Sequence, residues 1–149
     1  LRRSAVRSLR LRPASQSDRN RHMTMASTLY VCVTCRGNGE VVAGEPRPGA
    51  RLLAAIERGS AEAGEGIAVV GVECLSNCSR SCSAAVGAPG KWTYVIGNLD
   101  PERHAPDILA FARQHSSHEL GLPVWRERPE HIRKNTIARV PPMPLKESS

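Results

Sequence analysis

Aromatic side chains are scarce in this chain of 149 residues, at 3% of the total. Hydrophobic residues nevertheless make up 40%, so a core has to be built mainly from Val, Ile, Leu and Ala. No apolar run approaches the roughly 18 residues that a membrane span requires, which excludes a transmembrane protein. The glycine-rich phosphate loop that ends in GKS or GKT and the GxSxG nucleophile pattern are both absent. We therefore expect no enzyme of these classes.

Acidic residues are nearly absent from the first 22 positions, which hold seven arginines and one aspartate. The rest of the chain holds 14 basic and 13 acidic side chains, so the net charge of +7 lies almost entirely in this leader. The near neutrality of the remainder argues against nucleic-acid binding. The leader has no continuous apolar segment and is therefore not a secretory signal. We interpret residues 1–26 as a disordered basic leader, an over-extended start ahead of a cytoplasmic protein, with a transit peptide as the alternative.

The apolar pattern predicts an α/β domain over residues 27–121. Continuous β-branched runs predict strands at 28–33 and 67–72, and a helical pattern runs between them from Gly49 to about Ala63. Uninterrupted apolar runs are typical of strands covered on both faces, so we expect a mixed sheet with helices packed on its faces.

The second half of the domain reads as a hairpin and a helix. Two short runs, 83–87 and 92–97, flank a Pro-Gly turn and predict a β-hairpin. Asp100 is the predicted N-cap of a last helix that ends near Gly121. The predicted order is β-α-β-β-α, followed over residues 122–149 by an irregular, proline-rich tail with one helical turn near 130–134.

All five cysteines fall into two groups. Cys32 and Cys35 form a C-x2-C pattern at the end of the first strand, and Cys74, Cys78 and Cys82 form C-x3-C-x3-C after the second. A right-handed β-helix-β crossover makes the two strands parallel, so both end at the same edge of the sheet. We therefore expect the two groups to converge in space.

Converging thiolates have three chemical uses. They hold an iron–sulfur cluster, bind structural zinc, or act as a redox dithiol. A thioredoxin-type dithiol opens a helix, whereas the glycines at 37 and 39 predict a loop after Cys35, which argues against the third use. The remaining alternatives are cysteines that serve only as core residues, Cys32 or Cys82, and structural disulfides, which nothing in a chain without an export signal favours.

The segment Glu73–Cys78, placed between an apolar strand and a hairpin, resembles the second half of the thioredoxin-like [2Fe–2S] ferredoxins and the ferredoxin-like subunit of respiratory complex I. Segments 30–36, 74–82 and 90–94 more closely resemble DUF1636, a bacterial family of predicted metal-binding proteins, over about residues 28–142. The resemblance implies a thioredoxin-like domain with a cluster at the sheet edge.

By this resemblance Cys74 and Cys78 are cluster ligands, and Cys32 carries over next. The fourth ligand is Cys35 or Cys82. Cys35 is favoured by its compact chelate, although the first cysteine pair of the ferredoxins is more widely spaced. The implied function is a [2Fe–2S] electron carrier. The alternative is an accessory protein that holds zinc or another divalent ion, linked to cobalamin-related metal handling and CobW-type GTPases. A thiol–disulfide oxidoreductase is less favoured.

The expected partner is a redox protein or a metal-handling protein. Neither a nucleic acid nor a membrane is expected, and a homodimer is compatible with the pattern. Among the histidines, His115 and His118 have a spacing that could chelate a metal, but solvated side chains near a helix C-terminus are the favoured interpretation. His104 and His131 have no partner nearby in the sequence.

Overall fold

A β-α-β unit begins the domain in the computed structural model, which describes residues 26–63 and 67–144. The predicted leader lies outside the described residues except for its last position. The strands are β1 (Thr28–Cys32), β2 (Ala68–Val72), β3 (Ala84–Gly87), β4 (Thr93–Ile96) and β5 (Thr136–Val140). The helices are α1 (Pro48–Ala63), α2 (Ala105–Ser117) and α3 (Glu130–Asn135), with single 3-10 turns at Cys78–Arg80 and Trp125–Glu127.

The five strands form one mixed sheet in the order β2-β1-β3-β4-β5. β1 and β2 are parallel, with Cys32 opposite Val72, and the other three pairs are antiparallel. A parallel β-α-β unit followed by an antiparallel hairpin and a helix is the predicted thioredoxin-like arrangement. The predicted fold class is confirmed.

The core lies between the sheet and its two longer helices. Because side chains alternate across a strand, Leu29 and Val31 of β1 point to the same face as Val86 of β3, and all three are fully buried. α2 packs on this face through Phe111, whose ring lies edge-on to Tyr94 with centroids 5.1 Å apart. Full burial of each such side chain contributes about 1.5–3 kcal/mol of transfer free energy.

The expectation that helices cover both faces is wrong for the described part of the chain. α1 lies on the same face as α2, because a Cβ placed on Gly71 would meet Leu53 of α1 at 2.9 Å. On the opposite face Tyr30 and Val70 are 38% and 41% exposed. The apolar run of β2 reflects its β-propensity at a sheet edge rather than burial on both sides.

The helical turn predicted near 130–134 is present as α3, but the irregular tail predicted around it is wrong over 136–140. α3 occupies 130–135, and β5 pairs with β4, so that Ala138 lies opposite Val95. The fully buried Ile132 anchors this helix–strand unit on the domain.

The last predicted helix is shorter than expected at both ends. The Asp100 carboxylate accepts the Glu102 N–H at 2.8 Å and closes a turn, so α2 begins only at Ala105. At the other end His118 accepts N–H groups of residues 120 and 122, and the helix stops at Ser117. None of the described helices is long and apolar enough to cross a bilayer.

Candidate functional site

The first cysteine pair lies where β1 meets the start of α1. Cys32 is the last residue of β1, and both it and Cys35 are buried. The Cys35 carbonyl accepts the N–H of Gly49, in the first turn of α1, at 3.1 Å. A Cβ on Gly49 would overlap the carbonyl oxygen of Cys32. The amino end of a helix therefore lies against the pair, although residues 36–47 separate the two in sequence.

The loop that follows β2 is fixed to Cys32. The Cys32 Sγ lies 3.6 Å from the Glu73 carbonyl oxygen and accepts a hydrogen bond from the Leu75 N–H. The Thr34 hydroxyl donates to the same Glu73 carbonyl. The backbone on both sides of Cys74 thus touches Cys32, and the two strand ends converge as their parallel pairing requires.

The side chains of Cys74 and Cys78 are exposed. The Cys74 Sγ accepts the N–H of Ser76 at 3.2 Å, and Cys78 begins the 3-10 turn. The loop is anchored from its other side by Asn77, whose amide donates to the Ser83 hydroxyl at 2.9 Å. Two cysteines are therefore presented at the surface on a loop whose ends are held to the sheet.

Cys82 is fully buried behind the first pair. Its N–H donates to the Leu99 carbonyl at 3.3 Å, and its carbonyl accepts the Leu99 N–H at 3.0 Å, which aligns the start of β3 with the end of β4. All five cysteines are free thiols.

The three buried thiols differ in acidity. Burial raises the pKa of Cys35 to about 12, and its hydrogen bond to Cys32 acts in the same direction. Burial also raises the pKa of Cys82 to about 11, helped by the nearby charge of Cys32. Burial opposes ionisation of Cys32 as well, but hydrogen bonds from the Cys35 thiol and the backbone outweigh it and lower the pKa of Cys32. Of the three buried thiols, Cys32 therefore ionises most readily.

A sulfur-rich donor set of this kind fits a thiophilic centre such as an iron–sulfur cluster or zinc. Over residues 26–63 and 67–144, however, no three Cys, His, Asp or Glu side chains are arranged to hold one metal ion. The predicted ligand set of Cys32, Cys74 and Cys78 with Cys35 or Cys82 therefore stays a prediction. The backbone brings the two groups to one edge, where Cys74 and Cys78 are exposed and the other three thiols are buried.

A polar cleft of about 400 Å³ opens beside the cysteines. Gly37 and Ser81 line the wall next to the thiols, and Arg51 pairs with Glu102 across the rim at 2.8 Å. The cleft therefore lies beside this edge of the sheet, on the side of residues 37 and 81.

Three positioning residues at the site, Thr34, Gly49 and Asn77, escaped the sequence reasoning. Thr34 and Asn77 lie within the two cysteine motifs, and this position in the motifs is the only sequence signal for their role. Neither residue belongs to a sequence pattern that identifies it as a positioning residue. Periodicity predicts Gly49 only as the first residue of a helix, because it says nothing about which backbone the start of a helix approaches.

The interpretation of His115 as a solvated side chain is wrong. It is fully buried, its Nε2 lies 2.6 Å from the Trp92 carbonyl oxygen, and its Nδ1 lies 2.6 Å from the Ser27 hydroxyl. A carbonyl only accepts, so Nε2 carries the proton and Nδ1 accepts from Ser27. His118 turns to the backbone at the end of α2 instead, so the two histidines do not chelate a metal together.

The fold and the cysteine edge define a small thioredoxin-like α/β protein with a cluster of free thiols. The chain belongs to the DUF1636 family, described as proteins of unknown function, which matches residues 29–142. No curated protein matches the sequence.

Among solved structures, the chain is similar to a thioredoxin-like [2Fe–2S] ferredoxin from Aquifex aeolicus, with 16% identity and a TM-score of 0.47 over 80% of this chain and 98% of that one. A second structure of the wild-type Aquifex aeolicus ferredoxin matches with 16% identity and a TM-score of 0.43, over 76% and 97% of the two chains.

Proposed function

We propose that the protein is a small cysteine-ligated metal protein that acts as a [2Fe–2S] electron carrier rather than as an enzyme. The observation that carries the proposal is the contact of the Cys32 sulfur with the backbone on both sides of Cys74. Through it, a C-x2-C pair and a C-x3-C pair meet at one edge of the sheet. The Aquifex aeolicus proteins are described as [2Fe–2S] ferredoxins, but the proposal depends on this chain's own thiols.

Cys32, Cys74 and Cys78 would hold the cluster, with Cys35 or Cys82 as the fourth ligand. When bound, a [2Fe–2S] cluster supplies reversible one-electron transfer. The chain's own residues supply N–H groups aimed at sulfur, from residue 75 to Cys32 and from Ser76 to Cys74. Such hydrogen bonds stabilise negative charge on the ligands and thereby tune the reduction potential.

The exposure of Cys74 and Cys78 suits exchange of electrons with a protein partner, because it places two proposed ligands at the molecular surface. We propose a redox protein as that partner, and a cytoplasmic location. With zinc in place of the cluster, the same thiols would make the protein an accessory that holds a divalent ion for a metal-handling partner.

A redox dithiol is the second candidate, and the asymmetry of the first pair favours it. Cys32 has the lowered pKa of an attacking thiolate and Cys35 the raised pKa of a resolving thiol, and the first turn of α1 lies against both. In such a reaction Cys32 would attack a substrate disulfide. Cys35 would then attack the Cys32 sulfur of the mixed disulfide and release the second substrate thiol. The products are a Cys32–Cys35 disulfide and two substrate thiols.

Metal and sulfide analysis of the full chain purified without oxygen separates these functions. The proposal expects two irons and two acid-labile sulfides per chain, with a reddish-brown visible spectrum. One zinc per chain and no colour would support the accessory function. A folded, metal-free protein with five titratable thiols would overturn the metal centre. If two of those thiols are then oxidised to an internal disulfide by a disulfide substrate, the result would support the dithiol function.

A further inference from the structure

Two histidines that are far apart in sequence stack face to face. His104 precedes α2 and His131 lies in α3, and their ring centroids are 3.7 Å apart with the planes inclined by 25°. The pair joins the turn after β4 to the helix–strand unit of residues 130–140.

His104 is held as a neutral ring. Its Nδ1 accepts the N–H of Asp100 at 2.8 Å. Protonation of Nδ1 would remove this acceptor and place two donors against each other. The ring also sits at the N-cap of α2, where the helix dipole disfavours a positive charge.

His131 has a second set of hydrogen bonds. Its Nε2 lies 3.2 Å from the Gly97 carbonyl oxygen and so carries the proton, while its Nδ1 lies 3.2 Å from the Asn135 side-chain amide nitrogen. The Asn135 amide is held in this orientation, because its oxygen accepts from Asn98 and its nitrogen donates to the His131 carbonyl, both at 2.9 Å. These bonds hold the His131 ring in the place where it stacks on His104.

Charged groups around His104 do not cancel this preference. Asp107 and Asp100 favour the imidazolium, while Arg103 and His131 oppose it. Burial, the largest effect, lowers the pKa of His104 below the ordinary value of 6.5, and His131 adds to this. On α3 the neighbouring Glu130 is engaged with Lys134 at 2.5 Å.

We propose that the His104–His131 stack is a pH-sensitive latch that holds α3 and β5 on the domain and weakens as the pH falls. The latch also lies next to the cysteine edge. Gly97 accepts from His131, and Leu99, two residues later, pairs with Cys82 through two backbone hydrogen bonds. Loosening of the stack would therefore reach the strand end that aligns Cys82.

The direction of the effect follows from the lowered pKa of His104. Both the latched and the released states are neutral well above pH 6.5. As the pH falls through 6.5, the released imidazole takes up a proton first, so the latched state loses stability until the pH passes below its own lower pKa. Once the pH lies below both pKa values, each half unit of difference between them increases the opening equilibrium about threefold.

Hydrogen exchange of the full chain at pH 7.5 and 5.5 tests the latch. After correction for intrinsic exchange rates, we expect opening of residues 130–140 to increase at least about threefold at pH 5.5. His104→Asn keeps an acceptor for the Asp100 N–H, and His131→Gln keeps a donor for the Gly97 carbonyl, yet neither residue titrates. The double variant should lose the pH response, whereas the control His118→Gln, at the other end of α2, should keep it.

Equal opening of 130–140 at both pH values in the wild type would overturn the proposal. So would a double variant that responds to pH as strongly as the wild type. If residues 130–140 of the double variant are already open at pH 7.5, the single variant His104→Asn is measured instead. A pH response as strong as that of the wild type in this variant would likewise overturn the proposal. An NMR titration adds an independent check: a pKa of His104 at or above 6.5 in the folded protein would contradict the latch.

Discussion

Replacing Gly49 by alanine should damage the cysteine site from a position that bears no ligand. Gly49 lies in the first turn of α1, where its N–H bonds the Cys35 carbonyl, and an added Cβ would overlap the Cys32 carbonyl oxygen. The overlapped atom is backbone, so no side-chain rotation relieves the contact. Either the end of β1 or the start of α1 has to move.

The expected cost is a balance of two effects. Overpacking that displaces backbone costs about 1–3 kcal/mol. The greater helix propensity of alanine offsets up to about 1 kcal/mol of this. We therefore expect a net loss of about 1–2 kcal/mol in the free energy of unfolding, together with a loss of metal binding, since Cys32 and Cys35 are both next to the clash.

Urea unfolding at pH 7.5 and metal content after anaerobic purification measure the two effects. Gly39→Ala is the matched control, because Gly39 lies in the loop that leads into α1 and an added Cβ has no heavy atom within 4 Å. The control should bind metal fully and unfold within about 0.5 kcal/mol of the wild type. A Gly49→Ala protein with wild-type stability and full metal content would refute the packing described here.

Two further substitutions test the supports of the site and of the core. Thr34→Val keeps the side-chain shape but removes the donor to the Glu73 carbonyl, so metal affinity should fall about 10-fold in a competition titration, whereas Thr28→Val should leave it unchanged. His115→Leu leaves two buried hydrogen-bonding groups without a partner and should cost about 2–4 kcal/mol in urea unfolding at pH 7.5. Burial lowers the pKa of His115. The contribution of His115 to the free energy of unfolding is therefore present above pH 6.5 and declines as the pH falls through the lower pKa of the folded state. A wild-type protein whose stability is no more acid-sensitive than that of His115→Leu would contradict this.

The meeting of the two cysteine groups was predictable because it follows from topology. Apolar runs identify two strands, a crossover helix makes them parallel, and parallel strands end at one edge. The burial of Cys82 and the exposure of Cys74 and Cys78 were not predictable. Both depend on how a polar loop folds back on the sheet, through bonds such as that from Asn77 to Ser83, and no periodicity encodes such bonds.

The C-terminal part of the domain shows where composition misleads. The segment Thr136–Val140 contains three β-branched residues, a strand signal, but the prolines that follow and the mixed charges outweighed it. The stacking of His104 on His131 was equally unpredictable from the sequence, because it depends on how α3 packs against the turn before α2. Contacts between distant segments of irregular pattern are set by tertiary packing alone.

Metal binding by the five single Cys→Ser variants, with the visible spectrum of each, tests most directly whether the two cysteine groups form one centre. We expect Cys74→Ser, Cys78→Ser and Cys32→Ser to lose the metal and to unfold more readily, since bound metal adds to folding stability. Of Cys35 and Cys82, the one that is not a ligand should be replaceable with binding retained. Full binding by Cys74→Ser or Cys78→Ser would contradict the single centre, and loss of binding in all five would point instead to a larger one.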